Sequence, residues 1–192
     1  RYSKNALTQG RNLLTLEICK KMIRQFLQYD ARRAAQGALI LKGVETKLDF
    51  EMQHPTLKLP MKFSGVVDRL EVYDNAFIIW DYKSGAIGPS DLSLTRIDDL
   101  WKGSKGKPLQ ILLYAWLLWK KELVTHPFPW QSGMFKLQSG QPEHLLRGAA
   151  LGKSNDITEG LLIDFEQALC DYLSEVHSNG LPFVEIPRYE FN

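Results

Sequence analysis

An α/β fold is predicted by three stretches of the chain. The first is a pair of strands, Lys62 to Tyr73 and Phe77 to Lys83, joined by the turn signal Asp74-Asn75. The second is Leu109 to Glu122, which is apolar nearly all round and reads as a buried helix. The third is helical periodicity near both ends, from about Asn12 to Ala34 and again from Asp156. Strands interleaved with helices in a chain of 192 residues make one domain with a single core.

Each element has its own justification. In the first helix Leu13, Leu16, Met22, Ile23, Phe26 and Leu27 recur at helical spacing, with Lys20, Lys21 and Arg24 on a solvated face. Ala38 to Phe50 reads as an extended segment or two short strands. On Lys62 to Tyr73, Val66, Asp68, Leu70 and Val72 share one face and Val67, Arg69, Glu71 and Tyr73 the other. Asp68 therefore points toward the core, and Glu71 toward a more polar side. Phe77 to Lys83 is apolar on both faces, which predicts a central strand. Ser90 or Asp91 is placed to cap a short helix running to Trp101, and Pro108 to open the buried helix. After the breaker His126 to Pro129 come a strand Gln131 to Leu137 and a partner near His144 to Arg147. Asp156 and Glu159 have capping-box spacing for the last helix, which carries Ile157, Leu161, Phe165, Leu169, Tyr172 and Val176 and stops at Asn179-Gly180. The tail with Pro182 and Pro187 is extended.

Composition narrows the class. Hydrophobic residues at 44% and charged ones at 24% describe a soluble globular protein. A net charge of +2 names no nucleic-acid partner, so clustering of basic residues is what counts. The most basic piece, Trp101 to Lys107, holds Lys102, Lys105 and Lys107 and reads as a solvated loop or a phosphate clamp. Cys19 and Cys170, each in a helical pattern, are expected to be reduced and buried, with a distant disulfide between them as the alternative. None of His54, His126, His144 and His177 has ligand spacing. No apolar run reaches the roughly 18 residues of a membrane span, and a cytoplasmic location is expected, with no membrane partner. Without an initiating Met, the chain is expected to be one domain of a larger protein.

Chemistry gathers at Asp81-Tyr82-Lys83. Residues two apart in a strand share a face, so Asp81 and Lys83 project together and Tyr82 opposite. A surface ion pair would explain them, at a value of at most about 1 kcal/mol. A core-facing Asp68 on the paired strand favours a site instead, because a buried carboxylate needs a cation or a hydrogen-bond partner. Two carboxylates on adjacent strands suit one Mg²⁺ or Mn²⁺ and the oxygens of a phosphate, with Lys83 beside them. Gln110 and Tyr114, one turn apart on the buried helix, are the polar groups facing this centre or else bond locally.

The series Gly65-Val66-Val67-Asp68-Arg69-Leu70, Ile79-Trp80-Asp81-Tyr82-Lys83-Ser84-Gly85 and Gln110-Ile111-Leu112-Leu113-Tyr114-Ala115 resembles the GxxDRxx, (I/V)xDYKTG and QxxxYA motifs of PD-(D/E)XK nucleases, in particular the RecB/AddB-like branch of helicase–nuclease repair complexes. The resemblance implies a restriction-endonuclease-like core, a central mixed β-sheet flanked by helices. It implies a Mg²⁺- or Mn²⁺-dependent DNA nuclease, exonuclease ahead of endonuclease, acting in repair or recombination with a helicase subunit or domain as partner. By residue it implies Asp68 and Asp81 as metal ligands, the Tyr82 carbonyl as a further one and Lys83 as the catalytic lysine. Gln110 and Tyr114 would position DNA. Glu45 is a further candidate ligand, with a structural salt bridge as its alternative. The branch's upstream His motif is absent, Glu17 being the only stand-in, and no cysteine cluster for an iron–sulfur centre occurs in the chain. A domain of the same fold that binds DNA or acts as a scaffold without catalysis is the competing reading.

Overall fold

Five strands lie side by side in the order β1-β2-β3-β4-β5 in a computed structural model describing residues 9–137, 143–152 and 155–178. The elements run α1 (Gly10–Gln36), β1 (Leu39–Met52), β2 (Met61–Tyr73), β3 (Ala76–Lys83), α2 (Gly106–Lys120), β4 (Trp130–Lys136), β5 (Glu143–Leu145) and α3 (Glu159–Val176). β1, β2 and β3 form an antiparallel meander, β4 joins β3 in parallel, and β5 returns antiparallel to β4. The sheet is mixed, and β3 is its middle strand, as its two apolar faces require. The β2–β3 turn is tight because Asp74 and Asn75 both take positive φ, 50° and 65°. The long segment after α1 is one strand rather than two short ones.

Alternation on β3 divides the core. Phe77 and Ile79 face α2 and α3, in a cluster with Ile111, Leu112, Trp116, Leu162 and Phe165. Ile78 and Trp80 face the other way, with Phe135, and meet Phe26 and Tyr29 of α1. Trp116 donates to Glu166 at 3.0 Å and Lys120 pairs with the same carboxylate at 3.1 Å, tying α2 to α3.

Several expectations are corrected. On β2 the alternation breaks near Asp68: Val67 is fully buried beside Leu70 and Val72, whereas Val66 is exposed. The face read as more polar is equally buried, since Arg69 and Glu71 lie under α1 in a charge network. α1 buries little of its apolar stripe; Leu13, Ile23 and Leu27 are exposed, and among its residues only Arg33 is fully buried. Cys19, expected inside, is exposed for that reason, while Cys170 is buried and both are free thiols. The expected helix before Trp101 is two 3₁₀ turns, Pro89–Leu92 and Ile97–Trp101. Pro108 sits in the first turn of α2 rather than opening it. The cap of α3 is Thr158, whose hydroxyl accepts from Leu161 N at 3.2 Å, so the Asp156–Glu159 box does not form the start. α3 ends at Val176; Asn179-Gly180, Pro182 and Pro187 lie outside the described residues. Tyr172 and Val176, assigned to its apolar face, are partly exposed.

Candidate active site

The β2–β3 ladder ends at Arg69 opposite Trp80, and the next two residues in register are Asp68 and Asp81. The strands part here, so the two carboxylates stand where backbone pairing stops. Asp68 Oδ2 takes over one lost ladder bond by accepting from Tyr82 N at 2.6 Å. On β1 the residue opposite Asp68 is Glu45, held at φ +48° between the pairs Val44–Arg69 and Thr46–Val67.

Asp81 is the buried member, 4% exposed. Its Oδ1 accepts from Gln110 Nε2 at 3.0 Å, and Gln110 Nε2 also donates to the Tyr114 hydroxyl at 2.8 Å. Lys83 Nζ lies 2.7 Å from Asp81 Oδ2 and donates to Gln110 Oε1 at 3.1 Å. One strand pair and one helix turn are thereby joined in a continuous chain of polar contacts, β3 to α2. Burial pushes the Asp81 carboxyl above its usual range; Lys83 opposes this and the nearby Asp68 charge adds to it. Burial wins, so the pair leaves Asp81 short of positive charge. Its Oδ2 is buried and has the Lys83 ammonium beside it without an aligned hydrogen bond, so it keeps acceptor capacity.

Those features fit a divalent cation. Oxygen donors on Asp68 and Asp81, with the Tyr82 carbonyl next to Asp81 in sequence, form the hard donor set that Mg²⁺ and Mn²⁺ prefer. Among the described residues no three His, Cys, Asp or Glu side chains come together as a metal group, so exposed Glu45 does not join the two aspartates. Glu17 lies on exposed α1, paired with Lys20 at 2.7 Å.

The basic stretch is engaged with the protein itself. Lys105 donates to Ser93 O at 2.7 Å, Lys107 pairs with Asp91 at 3.0 Å and Lys102 pairs with Asp99. Lys102 remains largely exposed. Trp101, next to it, stacks on Tyr172 with ring centroids 4.4 Å apart and is part of the packing.

Behind the site lies a network that sequence reading missed. Glu71 accepts from Arg33 at 2.6 Å, from Arg69 at 2.6 Å and from Trp80 Nε1 at 2.8 Å. Arg69 also donates to Asp30 at 2.6 Å and reaches the Tyr82 hydroxyl at 3.4 Å. Burial lowers the affinity of Arg69 for its proton, but the bond to Asp30 and the surrounding acids outweigh it. Burial likewise raises the Tyr82 phenol against the pull of Arg69. The signal was present: Asp30 and Arg33 share a helix face, and Arg69 and Glu71 share a strand face.

Comparison with known proteins adds the lineage. No curated protein matches the chain. The family model of the PD-(D/E)XK nuclease superfamily matches residues 4–185, nearly the whole length and all three motif segments. With its mixed five-stranded sheet and the paired carboxylates where β2 and β3 part, the chain belongs to the PD-(D/E)XK nuclease superfamily.

Proposed function

We propose that the domain is a divalent-metal-dependent deoxyribonuclease of the RecB/AddB-like type, cleaving phosphodiester bonds exonucleolytically in repair or recombination beside a helicase subunit or domain. The observation that carries it is the Asp81 carboxylate, 4% exposed and held between Lys83 and Gln110 next to Asp68. A buried carboxylate with a raised pKa and an ammonium alongside is costly as scaffold and useful as a reaction centre. Asp68, Asp81 and the Tyr82 carbonyl would hold Mg²⁺ or Mn²⁺, which supplies charge neutralisation at the phosphate and a more acidic bound water. Lys83, whose side chain is 30% exposed, can leave its ion pair to donate to a phosphate oxygen. Gln110 holds the aspartate and lysine in register, and Tyr114 holds Gln110. Lys102, on the exposed loop, is available to the DNA backbone, whereas Lys105 and Lys107 would first give up their contacts within the protein.

Cleavage of end-labelled DNA in Mg²⁺ tests the reading. Lys83→Ala and Asp81→Asn should each lose on the order of 10²-fold or more in rate. Wild-type rates in either variant would overturn it. A second reading, a DNA-binding or scaffold domain without catalysis, is favoured by the lack of a third acidic or histidine side chain at the centre among the described residues. Calorimetry with Mn²⁺ separates them: heat of binding that vanishes in Asp68→Ala supports the enzyme, and no heat at millimolar metal supports the scaffold.

A further inference from the structure

Past Trp80, β3 has lost its β2 partner, and this end of the strand is the part that carries Asp81 and Lys83. On one edge β4 still pairs with it, as far as Lys83 opposite Lys136. On the other edge Asp68 accepts from Tyr82 N. In a strand the N–H and C=O of one residue point to the same edge, so the Tyr82 carbonyl faces the gap that Asp68 borders. The Tyr82 side chain goes to the far face of the sheet and is gripped there by α1 and β4. Its ring meets Phe26 edge-on, with centroids 5.4 Å apart, and Phe135 likewise, at 5.9 Å. Its hydroxyl lies 3.4 Å from Arg69, whose guanidinium is held by Asp30 of α1 and by Glu71, each at 2.6 Å. Phe26 also meets Phe135 edge-on at 5.2 Å, and the Arg69 guanidinium stands 5.7 Å from the Phe26 ring.

We propose that Phe26 and Asp30 of α1 are positioning residues for the reaction centre, acting through Tyr82 from the opposite face of the sheet. The proposal rests on the nuclease reading, in which Asp68, Asp81 and the Tyr82 carbonyl hold the metal. A strand end with a ladder on one edge only is free to twist, and a twist there would turn the Tyr82 carbonyl and Asp81 together. The Tyr82 side chain is the lever that opposes it. Phe26 fixes the ring by contact, and Asp30 fixes the hydroxyl end by holding the Arg69 guanidinium against it. Groups that orient the ligands of a metal without touching it typically control its affinity by 10- to 100-fold. Such coupling is reciprocal: if docked α1 favours the bound metal, the bound metal favours docked α1 by the same factor.

Two measurements of binding, neither of them an activity, test this on the whole chain. In calorimetry, Phe26→Leu and Asp30→Asn should each weaken Mn²⁺ binding by about tenfold. Hydrogen exchange of the wild type gives the readout that a purely structural role would not move, and it needs no variant to fold. With saturating Mn²⁺ in place of EDTA, the amides of Phe26 to Arg33 should exchange about tenfold more slowly, while those of Cys170 to Val176 at the end of α3 keep their rates. Unaltered Mn²⁺ affinity in either folded variant overturns the proposal, as does exchange in α1 that ignores the metal. Equal slowing of α1 and α3 overturns it too, because that marks stabilisation of the domain as a whole. A wild type that binds no Mn²⁺ removes the nuclease reading and this role with it, whereas Mn²⁺ binding with an indifferent α1 removes the positioning role alone.

Discussion

Asp81 is the residue at which burial and chemistry conflict. Its pKa is raised, chiefly by burial, so the native state holds its proton more tightly than the unfolded chain does. Native protein then carries more protons than unfolded protein between the ordinary Asp value, about 3.9, and the raised one, and stability falls as pH climbs through that window. In EDTA, Asp81→Asn should therefore melt higher than wild type at pH 7.5, with the difference shrinking as pH drops through that window and levelling off below the ordinary Asp value. Thermal melts of both proteins across pH check this; a variant less stable at pH 7.5 would show that the Lys83 pair outweighs burial. Asp68 presents the opposite case: its carboxylate does structural service by accepting from Tyr82 N. Removing it should loosen the end of the β2–β3 ladder as well as the metal site.

At the scale of elements, α1 is fastened by charge more than by apolar contact. Glu71 is fully buried and joins Arg33 of α1 to Arg69 of β2, with Trp80 of β3 as a third donor. Glu71→Ala leaves two guanidinium groups without that carboxylate and should cost about 3–5 kcal/mol in urea unfolding. A loss below about 1 kcal/mol would mean that water reaches the arginines. The Thr158 cap of α3 makes a smaller contribution; Thr158→Ala should cost about 1 kcal/mol by the same measurement. Sequence pattern located these helices but misplaced their ends, because a capping box and a single capping Thr two residues later look alike in sequence. Likewise the segment before α2 has the pattern of one helix but forms two separate 3₁₀ turns. Asp91 does cap, but from the third position of the first 3₁₀ turn, by accepting from Gly88 N at 2.8 Å.

For the whole molecule, the sheet separates two environments: α2 and α3 cover the face that carries Asp81 and Lys83, and α1 lies on the face that carries Trp80 and Tyr82. α1 touches the sheet mainly through its second half, from Phe26 to Arg33, whereas Leu13, Leu14, Ile18 and Ile23 are exposed. Hydrogen exchange should show amides from about Thr15 to Arg24 opening far faster than those from Tyr29 to Ala35, since local stability follows buried contacts. Uniform protection along α1 would contradict this. The sequence by itself determined the strand hairpin, the central strand, the buried helix and the identity of the polar side chains at the candidate site. Those follow from two- and 3.6-residue periodicity and from motifs whose members lie close in the chain. Only the tertiary structure decided that both faces of β2 are buried, that α1 docks through Arg33 and Asp30, and that a cleft opens between Phe63 and Leu113. Each of these depends on contacts between residues tens of positions apart, such as Arg33 with Glu71 or Asp81 with Gln110. Periodicity tells that a face is covered somewhere; the twist of the sheet and the parting of β2 from β3 at Asp68 and Asp81 select what covers it.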